Sequence, residues 1–307
     1  MIAIVLAIVV STAVGVLAER RAGVRAVGWT RRLLDIVLYG LLPPIAYLAV
    51  ARQDLGGGVG AGLALAYAEL ALVGALAWLA GTRLLGLPRP AVGALIVVVA
   101  LANTGYLGLP LTATLLGDDA LGAAIVFDQL VSGPMVYLVG FAVGAAFGTR
   151  AGEGGRARVL AFFTRNPVLP AVALGLVVPD ALAPLVLVDA VSYVVIALLP
   201  VGFFALGVNL SAEAGEGGER LPPRLSAPVG AAVVLRLAVA PALLLAASLT
   251  LVRLPDAFVL QAAMPSGING LIVAHAYGLD VRVTAGAIAW TTVVAVVVAA
   301  VAGVALA

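Results

Sequence analysis

The residues with chemical potential in this chain are few, and most stand where an apolar stretch is broken. Asn103-Thr104-Gly105-Tyr106-Leu107-Gly108-Leu109-Pro110 interrupts an apolar stretch from about 91 to 116, and Met264-Pro265-Ser266-Gly267-Ile268-Asn269-Gly270 interrupts another from about 258 to 277. In hydrocarbon every backbone N–H and C=O needs a partner within the protein. A break rich in Gly and Pro is therefore tolerated only where protein or a water-filled cavity takes up the freed groups. A half-helix that starts inside the membrane offers unpaired N–H groups and a partial positive charge, which is an anion site. The side chains of Asn103, Thr104 and Asn269 would add hydrogen bonds to a carboxylate. Pro110 is expected to open the second half of the first broken helix, where proline suits the first turn. A proline kink that only shapes a helix bundle is the plainer reading of either break taken singly.

The ionisable residues far from any loop come next. Glu69 and Arg236 each lie about ten residues into an apolar stretch, hence near the membrane midplane, where an unpaired charge costs about 2.5–3.5 kcal/mol. They are expected to pair or to share a polar network, with a purely structural salt bridge as the other reading. Asp128 lies beside Gln129 and ahead of Ser132-Gly133-Pro134. It could hold a proton or cation coupled to a transported solute, or be a carboxylate satisfied by neighbouring hydroxyls and amides. Asp189 and the lone His275 fall near the ends of their stretches and read as wetted interface positions. There is no His-Glu-x-x-His spacing and no Gly-x-Gly-Asp motif, so neither a metal nor a cofactor nor an enzymatic role is expected. The chain has no cysteine.

The elements that must position these residues follow from composition. With 64% hydrophobic and 10% charged residues and a mean hydropathy of +1.20, the chain is excluded from the ordinary soluble domains, in which about a quarter of residues are charged. It reads as an all-α polytopic membrane protein. Apolar spans are expected at roughly Ile2 to Leu17, Ile36 to Val50, Val59 to Ala80, Ala91 to Leu116, Ala120 to Phe147, Asn166 to Val178, Pro184 to Val208, Pro228 to Leu251, Phe258 to Tyr277 and Val283 to Leu306. Most approach the about 20 residues needed to cross about 30 Å of hydrocarbon. The short sixth span is helped by an amphipathic piece, Val159 to Phe163. The first span has no basic region before it and no small-residue cleavage site after it, so it is expected to be retained. Ser211 to Ser226 reads as a solvated linker.

Arginine placement orients the spans. All seventeen basic residues are Arg; fourteen fall in the loops after spans 1, 3, 5, 7 and 9, and only Arg52 and Arg253 fall in the opposite loops. Odd-numbered loops are therefore expected in the cytoplasm and both termini outside. Because five is odd, the halves 1–147 and 166–307, joined by a loop at 148–165, would insert with opposite polarity: two inverted five-helix repeats, with spans 4 and 9 as the broken pair. The repeat also shows in the letters, since Gly117 and Gly278, and Asp119 and Asp280, both stand 161 residues apart. Dispersed Arg is no nucleic-acid footprint. The absence of Lys among abundant Ala, Val, Gly and Arg suggests a bacterial source, hence the inner membrane.

Asn103 to Pro110 followed by Gly117-Asp118 resembles the Asn-Thr-Gly-aromatic-x-Gly-x-Pro signature of the auxin efflux carrier family. Met264 to Asn269 followed by Ala276-Tyr277-Gly278-Leu279-Asp280 is similar to that family's second signature, and Asn166-Pro167 fits too. The resemblance covers the whole chain in order. It implies the fold shared with bile acid/sodium symporters, in which spans 4 and 9 cross at the midplane of a mobile transport domain (spans 3–5 and 8–10). Spans 1, 2, 6 and 7 would form a scaffold domain that often dimerises. It implies a small organic anion, a carboxylate, dicarboxylate or auxin-like acid, carried by an elevator-type motion. Asn103, Thr104, Gly105, Pro110, Pro265 and Asn269 would line the crossing, with Asp128, Gln129, Glu69 and Arg236 as a coupling or polar network. The chain lacks the long central loop of plant members and has no carboxylate in span 9. Coupling to a proton, to sodium or to nothing stays open, as do a cation/proton antiporter using Asp128 and a ligand-sensing receptor.

Overall fold

A computed structural model of the chain describes residues 2–51, 58–150, 167–178, 182–217 and 223–305. The described residues are helical throughout, apart from short connections and one isolated β-bridge. The helices are α1 (Ile2–Ala22), α2 (Val24–Ile36), α3 (Leu42–Ala51), α4 (Gly58–Leu79), α5 (Arg89–Ala100), α6 (Leu109–Leu115), α7 (Leu121–Phe127) and α8 (Phe141–Phe147). They continue with α9 (Val168–Val177), α10 (Leu185–Gly217), α11 (Ala227–Val234), α12 (Ala240–Thr250), α13 (Asp256–Ala262), α14 (Asn269–Tyr277) and α15 (Val281–Ala305). Among the described residues five continuous helical segments are long and apolar enough to cross a membrane: Val24–Ala51, Gly58–Leu84, Leu185–Ala212, Ala227–Thr250 and Val281–Ala299. The protein is a multi-pass membrane protein, helical through its described residues.

Wide π turns join or extend several of these helices: Val37–Leu41, Ala80–Leu84, Thr104–Gly108, Asp128–Ser132, Met135–Gly140 and Leu235–Val239. Each wide turn shifts the register of the carbonyl ladder, and such turns recur at functional sites. Three of the six carry a residue singled out above: Thr104, Asp128 and Arg236.

Packing places α5 at the centre. Every residue from Ala91 to Ala100 is buried, as expected of a helix that is apolar all round. It touches α4, α8, α11, α14 and α15. A second group forms where α1 runs along α10 and α3 along α9. The α1–α10 contact is a backbone contact, because a Cβ on Gly15 would collide with Phe204 O and one on Gly207 with Thr12 O. Small residues permit this approach, which maximises van der Waals contact where lipid gives no hydrophobic drive to association.

Several sequence boundaries move. The expected loop holding Arg25, Arg31 and Arg32 is helical from Val24, with all three side chains exposed. The first residues of the expected linker after Ser211 continue α10 to Gly217, and Ser211 donates to Glu19 Oε2 at 2.7 Å. Both differences arise because an apolar window ends where charge appears, whereas a helix ends only where its backbone bonds do. From residue 151 onward the expected connecting loop lies outside the described residues, with its amphipathic piece Val159 to Phe163 and with Asn166. Arg52 and Arg220 lie outside them as well.

The repeated Gly, and Asp280 of the repeated Asp, have a structural reason. Gly117 ends the helix after the first break at φ +86°, and Gly278 ends the helix after the second at φ +69°. Glycine takes this left-handed region at little steric cost. Asp280 then accepts the N–H of Val283 at 3.0 Å, capping α15.

Candidate functional site at the paired helix breaks

The two breaks meet. Ala102 and Ser266 form an antiparallel bridge, in which Asn103 N–H donates to Pro265 O and Gly267 N–H to Leu101 O, each at 2.7 Å. The freed backbone groups that a break leaves in the membrane are thus exchanged between the two broken helices. Ser266 extends the link: its hydroxyl donates to Val98 O at 2.7 Å and its N–H to Thr291 Oγ1 at 3.1 Å.

The first halves of both broken helices, α5 and α13, end here on their carbonyl sides, and Arg236 serves both. Its Nη1 donates to Val99 O at 2.9 Å, its Nε to Met264 O at 3.0 Å, and its Nη2 to Ala262 O. The side chain is 1% exposed. Each helix C-terminus carries about half a negative charge, so two of them together balance roughly one guanidinium. The expected pairing with Glu69 is therefore corrected in its direct form: no Glu69–Arg236 ion pair exists among the described residues. Glu69 is 5% exposed, and both its carboxylate oxygens are buried without a hydrogen-bond partner among the described residues. The two elements are neighbours, since α4, which carries Glu69, packs against the turn Leu235–Val239 that carries Arg236.

On the other side of the bridge the second half of the first broken helix starts at Thr104, earlier than the expected start at Pro110. The turn Thr104–Gly108 is wide, and Gly108 N–H bonds Asn103 O at 3.1 Å. Pro110 follows as a buried residue of α6. Proline lacks an N–H and leaves one carbonyl of the preceding turn without its usual donor, and the register shift of the wide turn accommodates it. The second half of the other broken helix, α14, opens at Asn269.

Thr104, 1% exposed, donates its hydroxyl to Asp128 Oδ1, while Gln129 Nε2 donates to Asp128 Oδ2 at 2.7 Å. Both carboxylate oxygens are thus answered by neighbouring hydroxyl and amide. Gly105 lies against the same carboxylate, since a Cβ there would stand 3.6 Å from Oδ1. Asn103 is half-buried and Asn269 exposed, and neither side-chain amide bonds another described residue. Pro265 is buried. Asp189 and His275 are exposed, and His275 Nδ1 meets Leu271 O at 3.0 Å.

Sequence reasoning passed over Gln261. It is wholly buried at the end of α13, its amide has no hydrogen-bond partner among the described residues, and a Cβ on Gly108 would collide with its Oε1. The available signal was a lone amide between Asp256 and Ser266 in an apolar run. Among the described residues no group of three or more His, Asp or Glu could hold a metal ion.

Residues 162–302 match the family model described as membrane transport protein. The chain is also similar to an uncharacterized transporter of Methanocaldococcus jannaschii, 25% identical over 285 residues, which make up 87% of each chain. Both comparisons agree with the transporter resemblance read from the two breaks.

Proposed function

We propose that this membrane protein, similar over most of its length to an uncharacterized transporter and over residues 162–302 to membrane transport proteins, is a secondary transporter that binds a small organic anion where its two broken helices meet. The carrying observation is the reciprocal bridge between Leu101–Asn103 and Pro265–Gly267. It brings the starts of two half-helices to one place, beside two Asn side chains whose amides are not used by other described residues. The N–H groups of a first helical turn have no intrahelical acceptors, and with Asn103, Thr104, Gly105 and Asn269 they suit a carboxylate or dicarboxylate, an auxin-like acid included. Pro110 and Pro265 shape the two openings.

The chain would cross the membrane ten times as two inverted five-helix repeats, with both termini outside the cytoplasm of a bacterial cell. The group formed by α1, α2, α3, α9 and α10 would be the scaffold and the dimer face, and the helices around α5 would be the part that moves in an elevator-type cycle. The contact pattern, α1 with α10 and α3 with α9, supports this division. Asp128 is the candidate for a coupling proton or cation, because the Thr104 hydroxyl ties it to the first residue of the half-helix.

The test is uptake of radiolabelled malonate, malate and indole-3-acetate into proteoliposomes, with and without imposed pH and sodium gradients, for wild type and Asp128→Asn. Saturable uptake of one acid is expected. A gradient that drives uptake in wild type but not in Asp128→Asn assigns coupling to Asp128. A folded protein that moves none of the acids, and is instead stabilised by one of them, favours a receptor.

A further inference from the structure

The backbone accounting at the breaks leaves a conspicuous arrangement around Arg236. At the end of α5, Val97 O accepts Leu101 N–H and Val98 O accepts the Ser266 hydroxyl; at the end of α13, Val259 O and Leu260 O accept Ala263 N–H and Gln261 O accepts Met264 N–H. Among the described residues, the carbonyls of Val99, Ala262 and Met264 are served only by the guanidinium of Arg236. They come from two half-helices whose negative ends converge on one point, and α4, which carries the unbonded carboxylate of Glu69, packs against the turn that carries Arg236. Convergent carbonyls at helix C-termini plus one nearby carboxylate are the ingredients of a site for a monovalent cation.

We propose that the crossing contains a monovalent-cation site built from the carbonyls of Val99, Ala262 and Met264, and that Arg236 occupies it as a tethered cation. The two broken helices are then held together by a charge that belongs to the chain. A planar guanidinium can serve three carbonyls of fixed direction at once, and being always charged it cannot be lost to a change of pH. Arg236 enters from a wide turn, Leu235–Val239. The register shift of that turn belongs to the helical path that brings its side chain to the two ends. The site is separate from the one proposed for the anion: it lies on the carbonyl ends of the first halves, whereas the anion site lies on the N–H ends of the second halves. Its consequence for transport, that uptake needs no free cation at the carbonyl ends of α5 and α13, is the one part that rests on the transporter reading.

The experiment is thermal unfolding of the detergent-purified protein, wild type and Arg236→Ala, with Arg236→Lys and Arg236→Ala/Glu69→Gln beside them. Each is measured in 20 mM guanidinium chloride, sodium chloride and tetramethylammonium chloride at matched ionic strength, a concentration far below the molar range in which guanidinium denatures. Removing the arginine side chain should open a hole that free guanidinium refills. The expected result is a rise in the midpoint of Arg236→Ala by about 3 °C or more in guanidinium over tetramethylammonium. No such rise is expected in wild type, and a smaller one in the double variant. Arg236→Lys should unfold nearer to wild type than to Arg236→Ala. If Arg236→Ala can be purified only with guanidinium present, that also supports the site. Three results overturn the proposal: no selective rise and no recovery of Arg236→Ala in guanidinium, a wild type stabilised to the same degree, or Arg236→Lys unfolding with Arg236→Ala. None of these depends on finding the transported acid, so failure of the uptake assay and failure of the cation site are distinguishable.

Discussion

Arg236 brings a full charge into the interior, and its direct bonds go to the carbonyls of two helix ends and not to an acid. That makes the two buried ionisable residues unequal. Arg236→Ala removes three charge-assisted hydrogen bonds of about 1.5–3 kcal/mol each and leaves carbonyls without donors, so it should destabilise by more than about 3 kcal/mol. Glu69→Gln removes an unbonded buried carboxylate and should change stability by under about 1 kcal/mol. Unfolding midpoints of the two variants in detergent check this, and equal losses would restore the simple ion pair. Thr104→Val should cost about 1.5–3 kcal/mol by stripping Asp128 of a hydroxyl donor, read in the same assay. Asn103, Thr104, Asp128, Gln129 and Asn269 could be singled out from sequence because polar residues within apolar stretches are few. The partner of Arg236 could not be, because backbone carbonyls leave no mark in a sequence. Gln261 was missed for a related reason: a single amide in an apolar run looks incidental until its neighbours are known.

At the scale of elements, the breaks themselves were legible because glycine, proline and asparagine together interrupt long apolar runs. The wide turns at Asp128–Ser132 and Leu235–Val239 were not, since residues with ordinary helix preferences fill them and only the bonding register differs. The α1–α10 contact depends on Gly15 and Gly207, which in sequence are two glycines among thirty-six. Gly207→Leu places a side chain against the backbone at Thr12. It should separate the two helices and lower the yield of folded, monodisperse protein, whereas Gly230→Leu, where nothing stands within 4 Å of a Cβ, should not. Gel-filtration profiles of the two variants make the comparison.

For the whole molecule, composition alone marked a multi-pass membrane protein, and the resemblance to transporters rests on two motifs and their order. The proposed orientation rests on charge alone, and the absence of cysteine makes it easy to examine. Leu84→Cys and Leu251→Cys each introduce one thiol at an exposed position, on sides of the membrane that the arginine distribution makes opposite. In intact cells a membrane-impermeant maleimide should label Leu251→Cys, and Leu84→Cys only after permeabilisation. Labelling of both, or of Leu84→Cys alone, would reject the proposed orientation. The central claim is that an organic anion is held where the two broken helices meet. Its most direct measurement is saturable uptake of a radiolabelled carboxylate into proteoliposomes by wild type, Asn103→Ala and Asn269→Ala at matched amounts of folded protein. A loss of tenfold or so in both variants is expected, since each removes an amide hydrogen bond to the bound acid, of about 1.5–3 kcal/mol when the acceptor is charged. Uptake that is saturable and unchanged in both variants would contradict it.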